Sequence, residues 1–460
     1  MTKNNTIFTC QSCGSVYSKW QGRCDDCLGW NTIVEEVPLS QNSKAISSAK
    51  GSTKIDFFSL HDNNPSPPRI TTGNNEFDRV CGGGLVRSSA VLLGGDPGIG
   101  KSTILMQVLA GAADTGANAL YISGEESISQ IQDRAKRLNV EKSSISLATE
   151  TELGRVLAAL KSKKPDIAII DSIQTLWTDT ISAAPGTVAQ VRTCAHELVR
   201  FAKSTGCTII LVGHVTKDGQ IAGPRVVEHL VDAVLQFEGE RGHHFRILRA
   251  LKNRFGATDE IGVFEMAECG LVEVPNPSAL FLDERGIGHA GSAVFAGIEG
   301  TRPILVEIQA LAAKTTFGSP RRAVVGWEPN RLAMLLAVIE TRCNIAFGGF
   351  DIYLNVAGGL KISEPAADLA VAAALISAIS GVPLPDDCVV FGEIALSGDV
   401  RSVPRAEARM KEAEKLGFTR AIIPQSRKSG TSINVSLELL PTHIERLKDL
   451  VFHITGEDEL

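Results

Sequence analysis

The run Gly95-Asp96-Pro97-Gly98-Ile99-Gly100-Lys101-Ser102 follows the spacing G-x4-G-K-S and carries the plainest chemistry in the chain. Glycines at those positions let successive backbone N–H groups turn toward a bound anion, and the lysine adds a point charge. The run lies between an apolar stretch, AVLLG, and an apolar-periodic one, STILMQVLA, so it reads as a strand-to-helix turn. The helix N-terminus at Ser102 and Thr103 adds its partial positive charge to the same anion. Residues 95–103 are therefore a cradle for the phosphates of ATP. Lys101 is expected to reach the β- and γ-phosphates, and Ser102 to offer its hydroxyl to Mg²⁺.

Hydrolysis also needs an acid near the metal and a group that activates water. The apolar run DIAIIDS contains Asp171 where a strand's carboxyl end would deliver it to the cradle. Glu125 and Glu126 follow NALYISG, and a carboxylate there can face the γ-phosphate and orient or deprotonate the attacking water; Glu125 is preferred. His214, after TIILVG, has two readings of equal standing: a sensor of the γ-phosphate, or a histidine satisfied at the sheet edge.

A second constellation opens the chain. Cys10-x2-Cys13 and Cys24-x2-Cys27, ten residues apart, place two thiolate pairs on two turns able to converge on one tetrahedral Zn²⁺. Small neighbours in CQSCG and CDDCLGW free backbone amides to face the sulfurs. A unit of this size needs such a staple, since its own core is too small. The remaining cysteines, Cys81, Cys194, Cys207, Cys269, Cys343 and Cys388, show no ligand spacing and read as buried small hydrophobes in a reducing compartment.

The elements that must position these groups fall into four segments. Residues 1–37 are the cysteine module, and residues 38–68 are a Ser-, Asn- and Pro-rich linker. From 69 to 275, apolar runs (AVLLGG, NALYISG, SISLA, DIAIIDS, TIILVGHV) alternate with amphipathic stretches such as KSTILMQVLAGAADTG and TVAQVRTCAHELVRFAKSTG. That alternation predicts parallel strands joined by crossover helices. Residues 276–460 turn Gly- and Ala-rich without a second phosphate motif and predict a separate α/β domain.

At 460 residues the chain is long enough for two or three cores, and no repeat of solenoid period is present. A net charge of −6 gives nucleic acid no overall attraction, so any DNA site must be a local basic surface or arise by assembly. No stretch approaches about 18 uninterrupted apolar residues, so the expectation is a soluble cytoplasmic protein with no membrane partner.

Two later segments, HVTKDGQIAGPRVVEHLVDAVLQFEGE at 214–240 and Lys252-Asn253-Arg254-Phe255-Gly256, resemble the bacterial RadA family of DNA repair ATPases, and the resemblance runs along essentially the whole chain. It implies an α/β fold: a small N-terminal zinc ribbon, a RecA-like P-loop ATPase core with a parallel-rich sheet, and a C-terminal α/β domain similar to Lon protease. It further implies a DNA-dependent ATPase that assembles as a homo-hexameric ring. Such a ring would act on single-stranded and branched DNA beside a RecA-type recombinase, driving branch migration of strand-exchange products. The alternative is a nucleotide-switched DNA-binding scaffold that loads or assists the recombinase without motor activity.

On this resemblance Lys252 and Arg254 would approach the γ-phosphate held by a neighbouring subunit. The basic loop 216–226, with Lys217 and Arg225, and the segment around Gly186, Gln190 and Arg192 would face DNA. The Lon likeness, carried by FGEIALSGDVRSVPRAEARMKEAEKLGF and DIYLNVAGGLKISEPAADLAVAAAL, breaks where peptidase chemistry would occur. Pro365 stands near the nucleophile's place, Glu407 takes the lysine's, and the nearby Ser363 lacks a matching base, so proteolysis is not expected. Arg321, Arg322 and Arg331 are read either as DNA contacts or as partners of acids at subunit contacts.

Overall fold

The strand AVLLGG at Ala90–Gly95 is buried at every position, as an apolar run must be when both faces of a sheet are covered. In the computed structural model it lies inside a nine-stranded sheet. The strand order is Gly270–Glu273, Ile261–Ala267, Phe245–Asn253, Ala233–Glu238, Ala90–Gly95, Thr208–Val212, Ile167–Asp171, Ala119–Ser123 and Ile145–Thr149. The last six pair in parallel, whereas Phe245–Asn253 runs antiparallel to Ala233–Glu238. The structure describes residues 7–10, 15–26, 28–30, 32–36, 59, 67–215, 221–222, 225–239, 245–282, 288–315, 318, 320–425 and 440–456.

Strand alternation divides the core in two. Val91 and Leu93 pack with Ile104, Leu105 and Val108 of the helix Lys101–Asp114 on one face. Ala90 and Leu92 pack on the other, with Val156 and Leu160 of Leu153–Lys163 and with Cys194 and Leu198 of Val188–Thr205. Period-2 strands between helices therefore bury both faces. Because the central strands are parallel, their carboxyl ends at Gly95, Ser123, Asp171 and Val212 open on one edge, where doubly wound sheets bind ligands.

The chain divides into two compact units, residues 1–238 with 246–273 and residues 239–245 with 274–460. The second unit has a seven-stranded sheet in the order Arg322–Val325, Phe350–Val356, Arg302–Lys314, Ser292–Glu299, Cys388–Val390, Arg420–Pro424 and Leu440–Ile444. Its helix Asp368–Ser380 is buried from Asp368 through Ser377, as the apolar, Ala-rich run Leu369–Ile376 requires.

Three expectations change. Cys269 is exposed, because it falls in the turn between Ile261–Ala267 and Gly270–Glu273 and not within a strand. Arg331 grips buried Asp368 with two hydrogen bonds, 2.5 and 2.7 Å, and Arg322 donates to the carbonyls of Phe350 and Phe347. Both guanidinium groups thus serve the domain's own structure. Arg321 stays exposed. No described helix is long and apolar enough to cross a membrane.

Candidate functional site

The phosphate-motif turn is built for close approach. A Cβ at Gly95 would lie 2.7 Å from the Phe237 carbonyl oxygen, and Gly100 begins the next helix at φ +116° with no side-chain cap. The helix N–H groups that lack internal partners are therefore left for an anion. Lys101 is buried, and its Nζ donates to the carbonyls of Gly95 (2.7 Å) and Asp96 (3.0 Å). Burial lowers its pKa, while the charges of Asp171, Glu125 and Asp96 pull it back up. An ammonium held by two carbonyls inside an anion-shaped turn can transfer to a phosphate without changing its surroundings much.

Five side chains converge beside it. Ser102 Oγ donates to Asp171 Oδ2 at 2.7 Å, and the Tyr121 hydroxyl donates to the same oxygen at 2.5 Å. Glu125 Oε1 accepts from Ser172 Oγ at 2.5 Å. A hydroxyl and a carboxylate so placed next to the cradle are a donor set suited to Mg²⁺, the hydroxyl as a ligand and the acid behind it. The two adjacent glutamates differ in their commitments. Glu126 is tied to Arg134 of the helix Ile128–Arg137 by an ion pair, whereas Glu125 accepts a hydrogen bond from the neutral Ser172 hydroxyl. Glu125 instead bears electrostatically on the Lys101 ammonium at the cradle.

Lys252 and Arg254 lie at the opposite end of the sheet. Lys252 Nζ donates to the carbonyls of Glu228 (2.7 Å) and Val231 (2.7 Å), capping the helix Arg225–Leu230, and Arg254 pairs with Asp232 at 3.2 Å. Burial, then the charge of Arg254, lowers the Lys252 pKa, with Asp232 and Glu228 opposing. Neither cation reaches the cradle of its own chain.

The DNA-facing candidates separate. Lys217 lies outside the described residues, as do Gly219 and Gly223. Arg225 opens the helix Arg225–Leu230, and His214 lies in a short strand paired with Ile221–Ala222; the side chains of both are outside the described set. Arg192 is exposed on Val188–Thr205. Gln190 is a correction: it is buried and bonds the Thr178 N–H, the Thr178 carbonyl and the Ala183 carbonyl, so it holds the preceding loop together.

In the cysteine module, strands Ile7–Cys10, Val16–Tyr17 and Ile33–Glu36 form one sheet around buried Cys10 and Cys24. Each of these cysteines starts the same turn: Cys10 N donates to Ser15 O and Cys24 N to Gly29 O, both at 2.9 Å. The repeated turn and its thiol donors fit a four-sulfur Zn²⁺ site; Cys13 and Cys27 lie outside the described residues.

The second unit holds the residues that stand at the peptidase positions. Pro365 begins a 3₁₀ turn ahead of Asp368–Ser380, Ser363 is exposed, and Glu407 pairs with Lys411 at 2.7 Å. The nearby interior is taken by Arg409, fully buried, which pairs with Glu364 and donates to the Ala296 carbonyl at 2.7 Å.

Sequence reasoning passed over Tyr121, Arg134, Ser172 and Arg409. Tyr121 looks like any aromatic in a buried strand, and nothing in the spacing marks its hydroxyl. For Arg134 a signal existed: it lies two turns into the helix that begins just after Glu126.

Comparison with known proteins agrees part by part. Family models match residues 8–35 (rubredoxin metal binding domain), 70–277 (KaiC ATPase) and 310–427 (subunit ChlI of Mg-chelatase). Proteins named DNA repair protein RadA align along nearly the full length. That of Brucella abortus (strain 2308) is 58% identical over 432 residues, covering 92% of each chain. That of Rickettsia bellii (strain RML369-C) is 50% identical over 452 residues, covering 98% of each. That of Bacillus subtilis (strain 168) is 48% identical over 445 residues, covering 96% of this chain and 97% of the relative.

Proposed function

The chain belongs to the RadA family of DNA repair proteins, with a RecA-like ATPase core, and from that premise we propose that it is a DNA-stimulated ATPase working as a homo-hexameric ring in the cytoplasm. Its substrates are single-stranded and branched DNA, and it extends strand-exchange products made by a RecA-type recombinase. The domains divide as residues 1–37 for Zn²⁺, 38–68 as linker, 69–275 for ATP, and 276–460 as a proteolytically inactive scaffold.

The observation that carries this reading is the 2.7 Å approach of Ser102 Oγ to Asp171 Oδ2 at the mouth of the Lys101 turn. Residues 95–103 bind the triphosphate through backbone N–H groups, and Lys101 follows the β- and γ-phosphates. Ser102 and Asp171 would hold Mg²⁺, which neutralises phosphate charge when bound. Glu125 orients the attacking water and takes its proton. Lys252 and Arg254 of an adjacent copy stabilise charge on the γ-phosphate, coupling turnover to neighbour contact. Lys217, Arg225 and Arg192 meet DNA phosphates, and Cys10, Cys13, Cys24 and Cys27 bind Zn²⁺.

The test is ATP turnover with and without single-stranded oligonucleotide, beside extension of recombinase-made joint molecules. Stimulation by DNA and extension, both lost in Lys101→Ala, are expected. Turnover indifferent to DNA, with recombinase loading intact in Lys101→Ala, would replace the motor with the scaffold.

A further inference from the structure

Tyr121 occupies the middle of the strand Ala119–Ser123, fully buried in the core face that also holds Val91, Leu93 and Ile169. Packing alone would be met by phenylalanine at this place. Its hydroxyl nonetheless donates to Asp171 Oδ2, at 2.5 Å, and also interacts with Ser102. A buried hydroxyl on a carboxylate forms a charge-assisted bond, stronger than a neutral one.

Asp171 Oδ2 therefore has two donors of different character. Ser102 stands at the cradle's helix N-terminus, so its hydroxyl oxygen must divide its attention between a metal and Asp171. Tyr121 comes from inside the sheet, and its hydroxyl faces Asp171 and Ser102 together. Two donors on one oxygen restrict both torsions of a short side chain, and the donor that never leaves sets the resting orientation. Behind Tyr121, the Arg134–Glu126 pair closes the same region, and Arg134 acts electrostatically on both Tyr121 and Asp171.

We infer that Tyr121 is a positioning residue for the metal step: its hydroxyl anchors Asp171 so that Ser102 and Asp171 present a preformed site to Mg²⁺. The inference rests on the reading of Ser102 and Asp171 as the Mg²⁺-holding pair. It adds that metal affinity in this protein is set partly from within the sheet, by a residue that touches neither nucleotide nor metal. Removing the hydroxyl leaves the carboxylate with one donor, and metal binding then has to order it.

The experiment is Tyr121→Phe in the full chain, which removes the oxygen and keeps the ring. The Mg²⁺ concentration giving half-maximal ATPase at saturating ATP is expected to rise about tenfold, the equivalent of losing a bond of about 1.4 kcal/mol. Binding of a fluorescent ATP analogue in EDTA should stay near wild type, and the thermal midpoint should fall by no more than the loss of one buried hydrogen bond. An unshifted Mg²⁺ curve overturns the inference, as does a loss of turnover matched by loss of EDTA-phase binding, since that marks a packing role. If the wild-type protein itself shows no Mg²⁺ dependence, the underlying assignment of Ser102 and Asp171 fails first, separately from any Tyr121 effect.

A second measurement does not depend on how the variant folds. The chain has three tyrosines, so ¹⁹F NMR of 3-fluorotyrosine protein gives a short spectrum, assigned through Tyr17→Phe and Tyr353→Phe. The Tyr121 resonance should move when Mg²⁺ is added to the ADP complex. A resonance that stays in place would overturn the anchor.

Discussion

Mixing two inactive variants tests the proposed trans cation directly. The ammonium of Lys252 is held by the Val231 carbonyl, two residues ahead of Ala233, which pairs with Val91, while the cradle begins at Gly95. Six residues of strand rise separate the two levels, or roughly 20 Å at about 3.3 Å per residue. A lysine side chain cannot cross that distance, so any contribution of Lys252 to hydrolysis would have to come through another copy. Lys252→Ala should lower turnover by about 10³-fold or more, the scale of a trans cation. It should also cost about 1–3 kcal/mol of stability by uncapping Arg225–Leu230, which thermal melting would register.

Lys101→Ala should be equally inactive for a different reason, because its own cradle is empty of charge. In a ring of head-to-tail contacts, a 1:1 random mixture puts an intact cradle beside an intact Lys252 at about one quarter of the interfaces. Steady-state ATPase of the co-refolded mixture should therefore recover to about a quarter of wild type, if sites fire independently. A mixture no more active than its components would refute the trans reasoning. The helix cap would then be the whole role of Lys252.

Other outcomes follow from the same geometry. Glu125→Gln should retain ATP binding and lose turnover by about 10²-fold or more, whereas Glu126→Gln, which only releases Arg134, should lose less than about tenfold in a single-turnover assay. Glu364→Ala strands the buried Arg409 guanidinium and should cost about 3–5 kcal/mol in urea unfolding; Glu407→Ala, in a pair exposed to solvent, should cost less than about 1 kcal/mol. Cys24→Ser should abolish bound zinc by atomic absorption, since a thiolate ligand is lost from the site. Burial lowers the Lys101 pKa from 10.5, so its charged form is lost as pH rises through that lowered value. The alkaline limb of kcat/KM should accordingly fall below 10.5 and move upward in Lys101→Arg.

The cradle, the acid at Asp171, the pair Glu125/Glu126 and the parallel sheet were all legible in the sequence. Each depends on local signals: glycine spacing, β-branched runs buried on both faces, and carboxylates at strand ends. The turns that start at Cys10 and Cys24 were legible for the same reason, because such turns are set within a few residues. These features require only that a short segment take its own preferred conformation.

Partnership across long separations was not legible. Gln190 sits at a position that looks free to face DNA, yet its amide is consumed by Thr178 and Ala183. Arg331 offered no sign that Asp368, thirty-seven residues on, would take its charge. Nor did Tyr121 reveal that its oxygen would meet Asp171, fifty residues away. Sequence periodicity tells which face a residue occupies, and it is blind to which strand lies next door. Neighbours are decided by sheet order, and the order that sets Ile167–Asp171 beside Ala119–Ser123 exists only once the chain has packed both helical layers against one sheet.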